Sequence, residues 1–117
     1  MKKKTSAAPA HRPMDAAQLS AVAELFSLLS EPSRLRILQA LQAGPLSVGE
    51  LVQQTDLKQA NVSRQLGALL AAGVIARRAE GNFAIYSISM PMVFDLCEIV
   101  CDGVAELAVK RAEALRR

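Results

Sequence analysis

The sequence predicts a mainly helical α+β domain in which four helices, a β-hairpin and a fifth helix follow in order, ααααββα. Three observations predict it. Apolar residues recur at helical spacing in segments punctuated by Pro, Gly, Ser and Asp. Two short runs flank Glu80-Gly81-Asn82 as the arms of a hairpin would. A chain of 117 residues, 51 % hydrophobic and only 21 % charged, suits one folded domain. Such a domain buries somewhat under about 70 % of its unfolded surface, so it gains by dimerising.

Residues 1–14 carry Pro9, Pro13 and small side chains and read as a flexible basic tail preceding a domain at 15–117. The tail is either solvated and idle or an arm adding phosphate contacts. His11, the only histidine, lies in it. Asp15 can cap a first helix running to about Leu29, with Leu19, Val22, Phe26 and Leu29 on one side. Ser30-Glu31-Pro32 interrupts it, and Pro32 suits the first turn of a second helix bearing Leu35, Ile37, Leu38 and Leu41. That helix ends at Ala43-Gly44-Pro45.

Ser47 caps a short third helix and Glu50 completes a capping box. Thr55-Asp56-Leu57 is the turn into a fourth helix, from about Lys58 to Ala72, stopped by Gly73. Strands follow at Val74–Ala79 and Phe83–Ser89, and Met90-Pro91 opens a last helix from about Met92 to Ala114.

The charge is sorted rather than spread. Removing Lys2, Lys3, Lys4 and Arg12 leaves 10 basic residues against 11 acidic ones. Yet residues 57–79 hold Lys58, Arg64, Arg77 and Arg78 and no acidic residue, while acidic side chains collect on the last helix. Aromatics at 3 % argue against stacking platforms for single-stranded nucleic acid. No apolar run approaches the roughly 20 residues of a membrane span, and the basic start lacks the apolar stretch of a signal peptide. The expected location is the cytoplasm, where the 2 cysteines would be thiols.

Projected at about 100° per residue, the fourth helix gathers Val62, Leu66, Leu69 and Leu70 in one stripe. Ala60, Asn61, Arg64, Gly67 and Ala68 fall opposite, with Ser63 at the edge. Small outward residues permit close approach to a duplex. Gln59 and Asn61 can pair with adenine edges, and Arg64 with guanine or a phosphate. Ser63 and the helix N-terminal amides suit phosphate oxygens, and Lys58 belongs to the same DNA-binding set. Arg77 and Arg78 point to opposite faces of the hairpin, so at least one should reach the DNA backbone or minor groove.

The run LSVGELVQQTDLKQANVSRQLGALLAAGVIARRAEGNFAIYSI, with LLSEPSRLRILQAL before it, resembles the ArsR/SmtB family of bacterial winged-helix repressors over about residues 20–110. The most specific pieces are Glu31 to Leu38, then Leu57-Lys58-Gln59 with Val62-Ser63-Arg64-Gln65-Leu66, and Ala72-Gly73-Val74-Ile75. Gln65 departs from the many members that carry histidine there. The resemblance implies a winged helix-turn-helix whose hairpin is the wing, and a homodimer formed through the first and last helices. It further implies binding to a twofold-symmetric double-stranded operator and relief of repression by a metal ion or another ligand.

The sensing sites of metal-binding relatives are not matched. Residues 50–56 lack the Cys-x-Cys-Asp-like motif of the third helix, and the last helix has no histidine for a zinc site. It does hold Cys97 and Cys101, one turn apart on a face shared with Val93, Phe94, Val100, Val104 and Ala108. Asp95, Asp102 and Glu106 lie opposite. The thiols therefore belong to an apolar seam expected to meet another helix, in the first place the partner subunit's.

They are either small packing hydrophobes or a thiol sensor. As a sensor they suit soft species such as arsenic(III) or cadmium, or an oxidant or reactive sulfur. An intrachain disulfide between i and i+4 would distort the helix, and a bridge across the dyad is easier.

The leading expectation is thus a sequence-specific DNA-binding repressor. A protein-binding winged helix is the rival class, disfavoured because such faces use aromatic and apolar anchors. An enzyme is disfavoured too. The folded part has no Cys-x-x-Cys, no histidine and no glycine-rich phosphate loop.

Overall fold

The computed structural model describes residues 11–116. Most of the expected basic tail, residues 1–10, lies outside them. The elements are α1 (Ala16–Leu29), α2 (Pro32–Leu41), β1 (Leu46–Ser47), α3 (Val48–Thr55), α4 (Gln59–Ala71), β2 (Ile75–Glu80), β3 (Phe83–Ile88) and α5 (Met92–Ala114).

Local chemistry starts two of these helices where the sequence places them. Asp15 accepts from the Gln18 amide and Gln18 answers to the Asp15 amide, at 2.8 and 3.0 Å. Ser47 and Glu50 form the same reciprocal box on α3. Pro32 opens α2 with its fixed φ. Gly73 takes φ +76° after α4, the left-handed position that glycine fills without steric cost.

One element was not expected. Leu46–Ser47 forms β1, opposite Tyr86 and Ile85 of β3, so the hairpin becomes a three-stranded antiparallel sheet of order β1-β3-β2. Two residues are too few to show any alternation, and only the partner strand defines them. The first hairpin arm also shifts by a residue from expectation, and the second starts at Phe83 as expected but ends one residue early. Glu80 pairs with Phe83, which leaves Gly81-Asn82 as a two-residue turn with Gly81 at φ +63°.

The core joins α2, α3, α4, the strand ends and the start of α5. Ile37, Leu51, Val62, Leu66, Leu69, Val74 and Val93 are fully buried within it. Burying one such side chain is worth about 1.5–3 kcal/mol, so α4 is fixed mainly by its apolar stripe. Both terminal helices leave this core. Along α1 only Leu25, Leu28 and Leu29 are even partly buried, and from Glu98 onward every described residue of α5 is exposed. No helix among the described residues is long and apolar enough to cross a membrane.

Candidate nucleic-acid interface

The turn between α3 and α4 sets how α4 is presented. Asp56 caps α3 in the left-handed conformation, φ 59°, and its amide donates to the Val52 carbonyl. Thr55, buried at this corner, donates its hydroxyl to the Leu51 carbonyl at 2.6 Å and accepts from the Leu57 amide at 3.4 Å. The chain therefore leaves α3 sharply, and Lys58 starts α4 without a side-chain cap. The first-turn amides of α4 remain available to an anion.

With Val62, Leu66 and Leu69 inward, α4 exposes Lys58, Gln59, Ala60, Ser63, Arg64 and Gly67. A Cβ built on Gly67 meets nothing within 4 Å, so the shallow relief there belongs to the outside. Asn61 differs from its neighbours: it is only half-exposed. Arg77 and Arg78 are exposed on opposite faces of the hairpin, opposite Tyr86 and Ile85 respectively. Arg78 meets Glu80 at 3.0 Å, both side chains being more than half exposed. Such a pair holds little energy and yields readily to a phosphate.

A polar network behind this surface was not foreseen. Gln65 is only 5 % exposed. Its Oε1 accepts from Arg34 Nε at 2.7 Å and its Nε2 donates to Asn61 Oδ1 at 3.0 Å. Asn61 Oδ1 also accepts from Arg64 Nη2 at 3.0 Å, and Arg34 Nη1 donates to the Leu28 carbonyl at 3.0 Å. The signal was present in the spacing: Gln65 stands three residues after Val62 and four before Leu69, within the buried stripe.

The two thiols lie away from this surface. Cys97 is partly buried and Cys101 exposed. Both line two open grooves, one of about 430 Å³ between α5 and α2 and one of about 350 Å³ between α5 and the α1–α2 corner. Phe26, Leu29, Leu35, Val100 and Val104 wall the more apolar groove. The thiols thus face helices of their own subunit as well as the open seam. Glu98, not singled out from sequence, lines the other groove. Among the described residues no three His, Cys, Asp or Glu side chains converge as a metal site.

This is the architecture of a winged helix-turn-helix domain, with α3 and α4 as the motif and β2–β3 as the wing. A helix-turn-helix domain family matches residues 29–78. The uncharacterised helix-turn-helix-type regulator Rv0081 of Mycobacterium tuberculosis is 40 % identical over 94 residues, 80 % of this chain and 82 % of that protein. Its crystal structure aligns with a TM-score of 0.73, at 37 % identity, over 84 % of this chain and 99 % of that one.

A homodimeric winged helix-turn-helix DNA-binding domain from Mycobacterium bovis, described as possibly of the ArsR family, aligns at TM-score 0.69 and 31 % identity, covering 78 % and 87 %. The antimony-specific repressor AntR aligns at TM-score 0.72 and 29 % identity, covering 84 % and 89 %. The chain belongs to the ArsR/SmtB family of winged helix-turn-helix transcriptional regulators, a family of DNA-binding proteins rather than enzymes.

Proposed function

We propose that this protein is a homodimeric repressor that binds a twofold-symmetric operator and releases it when a thiol-reactive species reaches Cys97 and Cys101. The observation that carries the DNA-binding part is the divided surface of α4. Three fully buried apolar residues fix one side, and the other is small, polar and cationic without a carboxylate. Gln59 and Arg64 would meet base edges in the major groove. Lys58, Ser63 and the uncapped amides would meet phosphates, Ala60 would allow close approach, and Arg77 and Arg78 would follow the adjacent backbone or minor groove.

Dimerisation is supported by the apolar side chains that α1 and α5 leave uncovered. Leu19, Val22, Phe26, Val100, Val104 and Leu107 are 36–60 % exposed, an arrangement suited to a second copy of the same helices. Two copies would have to hold their α4 helices about 34–36 Å apart, one duplex turn.

The sensing part rests on the position of the thiols, between the body carrying α4 and the helix that would dock a partner. A soft ion such as arsenic(III) or cadmium bound by both thiolates would place new bulk and charge in that groove. AntR, an antimony-specific repressor of similar fold, lends support from a chemically similar metalloid.

The test is binding to the duplex upstream of the protein's own gene, followed by fluorescence anisotropy across a salt series. A steep fall of affinity with salt is expected, and failure to bind at low ionic strength overturns the reading. Arsenite, cadmium, zinc, peroxide and persulfide are then added separately. Cys97→Ser combined with Cys101→Ser is expected to bind DNA normally and to ignore the inducer; a double variant that still responds reduces both thiols to packing.

A further inference from the structure

We infer, resting on the DNA-binding reading, that Asn61 is a positioning residue, not a base reader: with Gln65 and Arg34 it holds Arg64 in the orientation from which Arg64 meets the duplex. An asparagine reads adenine by accepting from the N6 amine and donating to N7, which needs both ends of its amide. Here Asn61 Oδ1 already accepts two hydrogen bonds, from Arg64 Nη2 and Gln65 Nε2, each at 3.0 Å. A carbonyl oxygen has two lone pairs, so the acceptor is saturated. Turning Asn61 toward a base would also strand the Gln65 amide, at a site only 5 % exposed. The other end of the Asn61 amide points inward, 3.5 Å from Ser33 Oγ.

Everything behind Asn61 is anchored. Arg34 holds Gln65 through a short charge-assisted bond of 2.7 Å and is itself tied to the Leu28 carbonyl in the last turn of α1. A relay of hydrogen bonds thus runs from α1 through Arg34 of α2 and Gln65 of α4 to Asn61 Oδ1, and that atom accepts from the Arg64 guanidinium. An unrestrained arginine must surrender its rotamer freedom on binding. One already held in place loses less, which appears as affinity for the duplex it fits.

A double-mutant cycle separates holding from reading. The probes are a duplex selected from random sequence by the native protein and a scrambled duplex of equal length. Asn61→Ala is expected to weaken binding to the selected duplex about three- to tenfold, the range that ordering one side chain commands, and to narrow the preference over the scrambled one. In an Arg64→Ala background the same substitution is expected to change nothing further.

Gln65→Glu keeps the acceptor for Arg34 but loses the donor to Asn61. It should remain folded, with a melting temperature lowered no further than the loss of one buried hydrogen bond entails, and reproduce the Asn61→Ala loss. Losses that multiply in the double variant, or a Gln65→Glu protein that discriminates normally, overturn the inference. If the native protein selects no duplex at all, the DNA-binding reading itself falls and takes the inference with it.

Discussion

Arg64 and Ile37 mark the two extremes of what a single residue does in this molecule. Arg64 is exposed and makes one internal hydrogen bond, to Asn61. Arg64→Ala should therefore leave thermal unfolding within about 0.5 kcal/mol of the native protein, yet weaken operator binding by about 1–3 kcal/mol, the value of a base contact. Unchanged affinity in a titration would remove it from the contact set. Ile37 is fully buried between α2 and the rest of the core. Ile37→Ala should cost about 2–5 kcal/mol of stability through the cavity it leaves, measured by denaturant unfolding. Ala60, Arg64 and Gly67 on the outside of α4 were legible in the sequence because apolar spacing defines its complement, whereas Asn61 and Ala68, expected beside them, are half-buried. For Gln65 the spacing carries the inward position but not the partner. A buried polar side chain needs a partner, and Arg34 stands 31 positions away, where no local pattern connects the two.

Helices were the most legible elements because their ends are written in short-range chemistry. The Asp15/Gln18 and Ser47/Glu50 boxes and the prolines and glycines at the breaks act within four residues. β1 depends instead on β3, some forty positions on, and consists of two residues that also lead into the cap of α3. Between α3 and α4 the decisive unit is Asp56. It is the one non-glycine residue at positive φ among those described, in a region costing a side chain about 1–2 kcal/mol that aspartate tolerates and a β-branched residue does not. Asp56→Val should lose about that much stability and also operator affinity, because the angle between α3 and α4 changes. Asp56→Gly should retain both. Chemical denaturation together with anisotropy reads the pair, and a stable Asp56→Val protein with full DNA binding would remove the turn from the mechanism.

At the scale of the whole molecule, the radius of gyration is 18.4 Å, where a compact chain of this length would have about 13 Å. The excess follows from the terminal helices. α5 is 23 residues long, about 35 Å at 1.5 Å per residue, and only its first turns touch the core. Its outer part and α1 together expose apolar residues that a monomer would leave in water, Phe26 at 51 % and Val104 at 60 % among them. Both also wall the thiol groove, which ties subunit association to the sensing proposal. Phe26→Glu with Val104→Glu should leave the buried core intact while placing two carboxylates from each subunit in a seam that excludes water. The expected product is a folded monomer in sedimentation equilibrium. Its hold on the operator should drop by a factor on the order of 10² or more, since the second half-site is no longer tethered to the first. The same variant should keep the native affinity for an isolated half-site. A dimer that survives both substitutions would place the interface elsewhere on the molecule. A monomer that binds the full operator as tightly as the native protein would show that each α4 acts alone.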